Sequence, residues 1–328
     1  MLVKIMNKIR FVLVLLLLLS VGFQDGLLQS SGNGKAVQNI INKSDSLFIA
    51  QNKPLSSTEW DRVVREIYSK TSTSLREAVK YYEDNHRFNG AVLVAKDGVP
   101  VFEKYIGKAD FESGELLNNE SRFQLASVSK QFTAVAVLML QQEGKLHIDS
   151  ALTDYLPDLR YDNVTLRHLL THKAGFPDYL WLISRHWEKD EPPQNSDIVD
   201  MMAKHPVRLQ FKPGSKFRYS NTGYCLLAAV VEDVSGFDFD VFLKERVFKP
   251  LNMNDTFAYS AAKDTIDDTM VRGFRYSGGH YSKVQENLME GTFGDKGIYS
   301  TPHDLVKWMR GLQQEKLLSE DLLELALS

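Results

Sequence analysis

The run Gly90-Ala91-Val92-Leu93-Val94-Ala95 is short, apolar and β-branched, and it is followed by Asp97-Gly98 and then by Val99 to Ile106. Such a run reads as a strand. Asp-Gly supplies the backbone geometry of a tight two-residue turn. The chain therefore opens its globular part with an antiparallel hairpin. Downstream the periodicity changes to helical. Ser127 to about Gln142 carries Phe132, Val135, Ala136, Leu138 and Met139, with Gly144 placed to end the helix. Further helices fit residues 164–172, 196–204, 222–235, 238–247 and 302–314, and Tyr276 to His280 reads as a second small hairpin turn.

Lys4, Lys8 and Arg10 precede a continuous apolar run from Phe11 to Leu19, and Ser20, Val21 and Gly22 follow. This order of basic, apolar and small residues is that of a secretory signal peptide, assigned to residues 1–25. The run is shorter than the roughly 20 residues a membrane-spanning helix needs. Residues 26–85 form a leader, with a capping pattern at Ser56 and Glu59, helical spacing through Trp60, Val63, Val64, Ile67 and Tyr68, and a second helix holding Leu75, Val79 and Tyr82. The product is expected outside the cytoplasm, periplasmic or extracellular, touching a membrane only through its N-terminus. Lys plus Arg is 39 and Asp plus Glu is 42, so the basic surplus of a nucleic-acid binder is missing. Cys225 is the only cysteine, which excludes internal disulfides and cysteine-rich zinc sites.

Two short patterns carry chemistry. In Ser127-Val128-Ser129-Lys130 the spacing i, i+3 puts the Lys130 amine beside the Ser127 hydroxyl at a helix start. The same helix end presents N–H groups without intrahelical acceptors. A nucleophile, a base and half an oxyanion hole are thereby assembled. In Tyr219-Ser220-Asn221 a phenol can relay protons near a lysine, and an amide two residues on can both donate to and accept from a substrate amide. Each pattern alone is common.

Together with their surroundings they are specific. Phe123 to Ala134 resembles the active-site segment of the serine β-lactamase-related family of class C β-lactamases, D-Ala-D-Ala carboxypeptidases and esterases. Leu146 to Leu159, Leu169 to Phe176, Phe211 to Gly223, Phe248 to Thr256 and Gly294 to Thr301 with Asp304, Leu305 and Trp308 resemble its later segments, in order, over about residues 86–314. The resemblance implies an α+β fold, β-lactamase/transpeptidase-like, with antiparallel sheet flanked by helices and a mostly helical lobe, in a hydrolase domain at 86–328. It implies Ser127 as acylated nucleophile, Lys130 as its activator, Tyr219 as proton shuttle and Asn221 as substrate-orienting amide. The backbone N–H of Ser127 would be one oxyanion donor. No cofactor or metal is required, and the substrate is a small molecule or peptide carrying an amide, ester or β-lactam bond.

The resemblance also implies a third motif, Lys-Thr-Gly or His-x-Gly, well beyond Trp308, and no such motif follows before Ser328. Asp295-Lys296-Gly297 lacks the middle hydroxyl residue. The expectation is a C-terminally incomplete chain whose last strands and helix are missing. A catalytically impaired binding protein of the same fold is the alternative reading. A metal-dependent hydrolase built on His168 and His172 is a third, weakened because Leu169 stands where a zinc-protease helix has Glu. Cys225 reads as a buried thiol. Phe176, Tyr179, Trp181 and Trp187 either pack or line a cleft.

Overall fold

The computed structural model describes residues 14–16, 73, 75–85, 88–96, 98–284 and 288–327. The expected helix through Trp60 and Tyr68, Asp97, and the signal segment apart from Val14–Leu16 lie outside these residues. The chain divides into two compact units, Met1–Asn119 with Arg272–Val284, and Glu120–Val271 with Gln285–Ser328.

In the first unit helix α1 (75–85) accompanies strands β1 (Val14–Leu16), β2 (Gly90–Lys96) and β3 (Val99–Ile106). The order is β1-β2-β3, antiparallel throughout. Lys96 pairs with Val99, which leaves the two-residue turn that Asp-Gly encodes. The core joins Val79 of α1 to Val92, Val94, Phe102 and Ile106. Tyr82, expected on the buried stripe, is instead 42% exposed and meets Tyr81 edge to face. The hairpin is also not alone: Val14–Leu16, from the apolar run, pairs along the outer edge of β2. The second expected hairpin forms from Phe274–Ser277 and His280–Lys283.

The second unit is mostly helical: α2 (Lys130–Gln142), α3 (Leu166–Leu170), α4 (Leu180–His186), α5 (Asn195–Lys204), α6 (Asn221–Ser235), α7 (Phe239–Leu243), α8 (Pro302–Gln313) and α9 (Glu320–Leu327). α2 packs on α6. Phe132 of α2 lies 4.2 Å from Trp308 and 5.7 Å from Phe248, ring centroid to centroid, and all three are buried. Large rings stacked this way dominate a core through the area they bury. One expectation is corrected here, and one element is added. The helix expected at 238–247 ends at Leu243 and continues as a wider π-type turn over Lys244–Phe248. Three very short strands, Phe123–Gln124, Ile298–Ser300 and Phe257–Ala258, form an antiparallel sheet that periodicity over two or three residues could not reveal.

Candidate active site

The sheet sets the position of Ser127. Phe123 and Gln124 pair with Ser300 and Tyr299, and the Leu125 N–H donates to the Ile298 carbonyl at 2.8 Å. At Ala126 the backbone turns to φ +46°, a left-handed conformation that costs a non-glycine residue about 1–2 kcal/mol. Ala126–Ser129 then winds as a 3-10 turn into α2. This strand–kink–helix path leaves Ser127 exposed at the helix mouth while Ser129 and Lys130 are buried. Ser129 Oγ accepts the Ile298 N–H at 3.2 Å, tying the helix start back to the sheet. Such strain persists only where neighbours over-determine it, and it is characteristic of functional turns.

All four residues singled out in the sequence meet in this unit. Lys130 Nζ donates to Ser127 Oγ at 3.2 Å, to Asn221 Oδ1 at 3.0 Å and to the Asp295 carbonyl at 2.7 Å. The Tyr219 hydroxyl donates to Ser127 Oγ at 2.7 Å. Ser127 and Lys130 meet because they are one turn apart. Tyr219 and Asn221 meet them because Ser220 between them is extended, so its two neighbours project to one side. The Ser220 hydroxyl points away and caps α6 by accepting the Gly223 N–H at 3.4 Å.

Three further contributors were not expected in this role. The Asp295 contact to Lys130 is a backbone carbonyl, which any residue has. Asp178 uses Oδ2 to accept from Asn221 Nδ2 at 3.2 Å and Oδ1 to accept the Leu180 N–H at 3.0 Å, so it binds Asn221 to the start of α4. A carboxylate can only accept and an ammonium can only donate. The Asn221 amide is therefore oriented with its oxygen to Lys130 and its nitrogen to Asp178. His172, at φ +56°, holds both sides of Tyr219: its carbonyl accepts the Arg218 N–H at 2.9 Å and its Nδ1 accepts the Ser220 N–H at 3.2 Å. Its ring lies 4.5 Å from that of Tyr219 and 5.1 Å from that of Tyr224.

Burial, then the nearby Lys130 charge, pushes the His172 imidazole below its ordinary value of 6.5. Burial raises the Asp295 carboxyl, opposed by Lys296 and Lys130, and pushes the Tyr224 phenol up to about 12. The His172 direction gives a signed prediction. As pH falls through 6.5 the unfolded chain takes up the proton before the folded one, so the native state loses stability. His172→Gln removes that term. The Tm deficit of His172→Gln is expected to shrink between pH 7.5 and pH 5.5, followed by circular dichroism melts; a constant deficit would refute the assignment.

The remaining candidates find structural partners. His168 Nδ1 accepts the Thr165 N–H at 3.1 Å in a cap on α3. The zinc reading of His168 and His172 thus meets two rings whose Nδ1 atoms already serve the backbone, and among the described residues no group of three metal-ligating side chains gathers. Cys225 is fully buried, and burial raises its thiol well above the ordinary range. Lys296 donates to the Tyr179 hydroxyl at 2.7 Å. The aromatic cluster divides: Phe176 and Tyr179 are core, whereas Trp181 is 49% exposed.

Comparison with known proteins gives the family. Penicillin-binding protein 4* of Bacillus subtilis is 32% identical over 259 residues, 75% of this chain and 56% of that protein. The teichoic acid D-alanine hydrolase of Staphylococcus aureus is 25% identical over 258 residues, 78% of this chain and 62% of that protein. The chain thus spans less than two thirds of either curated relative. The crystal structure of a penicillin-binding protein from Bacillus halodurans superposes with a TM-score of 0.66 at 30% identity, covering 75% of this chain and 76% of that one. The beta-lactamase family model matches residues 75–328, and the chain belongs to the beta-lactamase family, with the α+β fold of its penicillin-binding-protein-like members.

Proposed function

We propose that this protein is an exported serine hydrolase that cleaves D-alanyl esters or amides through an acyl-enzyme on Ser127. The observation that carries the reading is Ser127 Oγ held between Lys130 Nζ and the Tyr219 hydroxyl. A lysine ammonium has three N–H donors, and here they face Ser127, Asn221 and Asp295. Loss of one proton leaves two donors for Asn221 and Asp295 and turns a lone pair to Ser127. Neutral Lys130 then takes the Ser127 proton as Oγ bonds to the substrate carbonyl carbon. The carbonyl oxygen becomes an oxyanion facing the N-terminus of the helix, where N–H groups and the macrodipole favour negative charge.

Tyr219 gives its phenolic proton to the leaving nitrogen or oxygen, the scissile bond breaks, and the phenolate sits beside the Lys130 ammonium, 4.9 Å from ring centroid to Nζ. In the second half-reaction Tyr219 takes a proton from water as the hydroxide oxygen attacks the acyl carbon, and Lys130 returns a proton to the released Ser127 Oγ. Asn221, oriented by Asp178, offers its amide to the substrate. The D-alanyl preference draws support from the relative named for hydrolysing teichoic acid D-alanine. Export draws support from Lys4, Lys8, Arg10 and the apolar run, and among the described residues no helix is long and apolar enough to cross a membrane.

The test is intact-mass analysis after exposure to benzylpenicillin, whose strained amide acylates such a serine without a leaving group. One adduct is expected on the parent protein and none on Ser127→Ala. A folded parent that gains no adduct, or an adduct that survives in Ser127→Ala, overturns the reading.

A further inference from the structure

The same unit holds a cavity of about 570 Å³, lined by Pro177, Trp181, His186, His205, Val207 and Arg208 among others. Its volume lies within the range of small-ligand pockets. One wall is continuous with the catalytic frame. Thr222 donates to the Pro177 carbonyl at 2.6 Å, and the next residue, Asp178, accepts from Asn221. Pro177 thus belongs both to the cavity lining and to the segment that orients Asn221.

The lining has a definite chemistry. Trp181, Pro177 and Val207 provide apolar surface, and Trp181 is left 49% exposed on a helix whose Leu182 and Ile183 are buried. The imidazoles of His186 and His205 stack at 3.9 Å and 9°. Arg208 lines the cavity and the Arg185 guanidinium lies 5.5 Å over the Trp181 ring. None of the lining residues is a carboxylate. The opposite wall is preformed: Tyr161 OH accepts the Val207 N–H and donates to the Val207 carbonyl, both at 2.9 Å, and the Gln210 N–H donates to the Gly175 carbonyl at 2.8 Å. Apolar surface beside a guanidinium fork selects an aliphatic stem ending in a carboxylate, because such forks match planar oxyanions.

We infer that this cavity is an acyl-side subsite for a D-alanyl substrate whose N-acyl group ends in a carboxylate. The inference rests on the hydrolase reading for its turnover arm, and a binding arm makes it independent of that reading. In the binding arm, tryptophan emission is titrated with N-glutaryl-D-alanine and with uncharged N-butyryl-D-alanine. A saturable change is expected with the glutaryl compound, at about tenfold lower concentration than with the butyryl one, as a charged hydrogen bond provides. It is expected to disappear in Trp181→Phe and to weaken about tenfold in Arg208→Met. No change at millimolar concentration, or equal response to the two compounds, overturns the subsite whether or not the protein turns over. In the turnover arm, kcat/KM for the p-nitrophenyl esters of the two compounds is compared. About tenfold preference for the glutaryl ester, carried by KM and erased in Arg208→Met, supports the subsite. Equal values with Ser127-dependent turnover defeat the subsite and leave the hydrolase reading standing; no turnover of either ester defeats the hydrolase reading, and the titration then decides the subsite alone.

Discussion

Lys130→Met is expected to slow acylation of Ser127 about a thousandfold, within the range general-base catalysis contributes, while the protein stays folded. Methionine matches the length of the lysine stem and fills the same space, and Lys130 is only 6% exposed. The substitution removes the one nitrogen that reaches Ser127, Asn221 and Asp295 together. Two effects on stability oppose one another. Asn221 Oδ1 and the Asp295 carbonyl each lose a donor, which costs about 1–3 kcal/mol where the acceptor stays buried. The charge withdrawn from a buried position no longer has to be desolvated, which offsets much of that. The net change in Tm is expected to be a few degrees at most, and the rate change far larger. Tyr219→Phe is the informative companion. It keeps the ring against His172, 4.5 Å away, and deletes only the hydroxyl that donates to Ser127. Its acylation rate is expected to fall about a hundredfold, with deacylation slowed as well because water loses its proton acceptor. Rates from stopped-flow acylation, paired with melts, separate the two. A Lys130→Met protein that acylates within tenfold of the parent would remove Lys130 from the mechanism.

Much of this site was readable before any coordinates, for physical reasons. Ser127 and Lys130 are joined by helical geometry and Tyr219 and Asn221 by the two-residue period of extended chain, so both pairs are local. Their union was legible only through the order of the flanking segments, because nothing local joins residue 130 to residue 221. What escaped is non-local or carried by the backbone. The Asp295 carbonyl that completes the Lys130 environment has no side-chain signature. The left-handed turn at Ala126 is imposed by Ile298 pairing with Leu125 and by Ser129 bonding Ile298, not by a glycine that would have announced it. Asp178 looked like one acid among 42 acidic residues until Asn221 was seen to need an acceptor for its nitrogen. Helix α4 was missed because its seven residues sit between prolines and turn signals in a stretch read for its aromatics. The apolar run at Phe11 to Leu19 shows the converse: one composition fits the expected export signal and also holds Val14–Leu16, the strand partner of β2, and periodicity cannot separate the two readings.

Gly294→Ala is expected to be the most destabilising single-methyl change in the second unit, at about 4 kcal/mol. Gly294 sits at φ +99°, outside the comfortable range of any L-residue, and its backbone passes directly over α6. A Cβ there would stand 2.2 Å from the Tyr224 carbonyl oxygen and 2.8 Å from Ala228 Cβ. Neither neighbour is the free end of a side chain, and the segment has nowhere to retreat. The Gly294 carbonyl accepts from Thr133 Oγ1 at 2.7 Å, and the preceding Phe293 is held by Asn195, which accepts its N–H at 2.8 Å and donates to its carbonyl at 3.0 Å. Overpacking of this kind adds about 1–3 kcal/mol to a backbone penalty of about 1–2 kcal/mol. For a unit of this size the sum lowers Tm by about 10 °C. Gly236→Ala isolates the backbone part: Gly236 is also left-handed, at φ +72°, but a Cβ there meets nothing within 4 Å, so a loss of only about 1 kcal/mol is expected. The clash also reaches the chemistry, since the next carbonyl along is the Asp295 acceptor of Lys130. Whatever fraction of Gly294→Ala folds should therefore acylate more slowly than its folded fraction predicts, whereas Gly236→Ala should acylate at the parental rate. Equal melting temperatures for the two variants would mean that α6 yields to the added methyl, and that the 293–295 segment is not the rigid wall on which Lys130 is set.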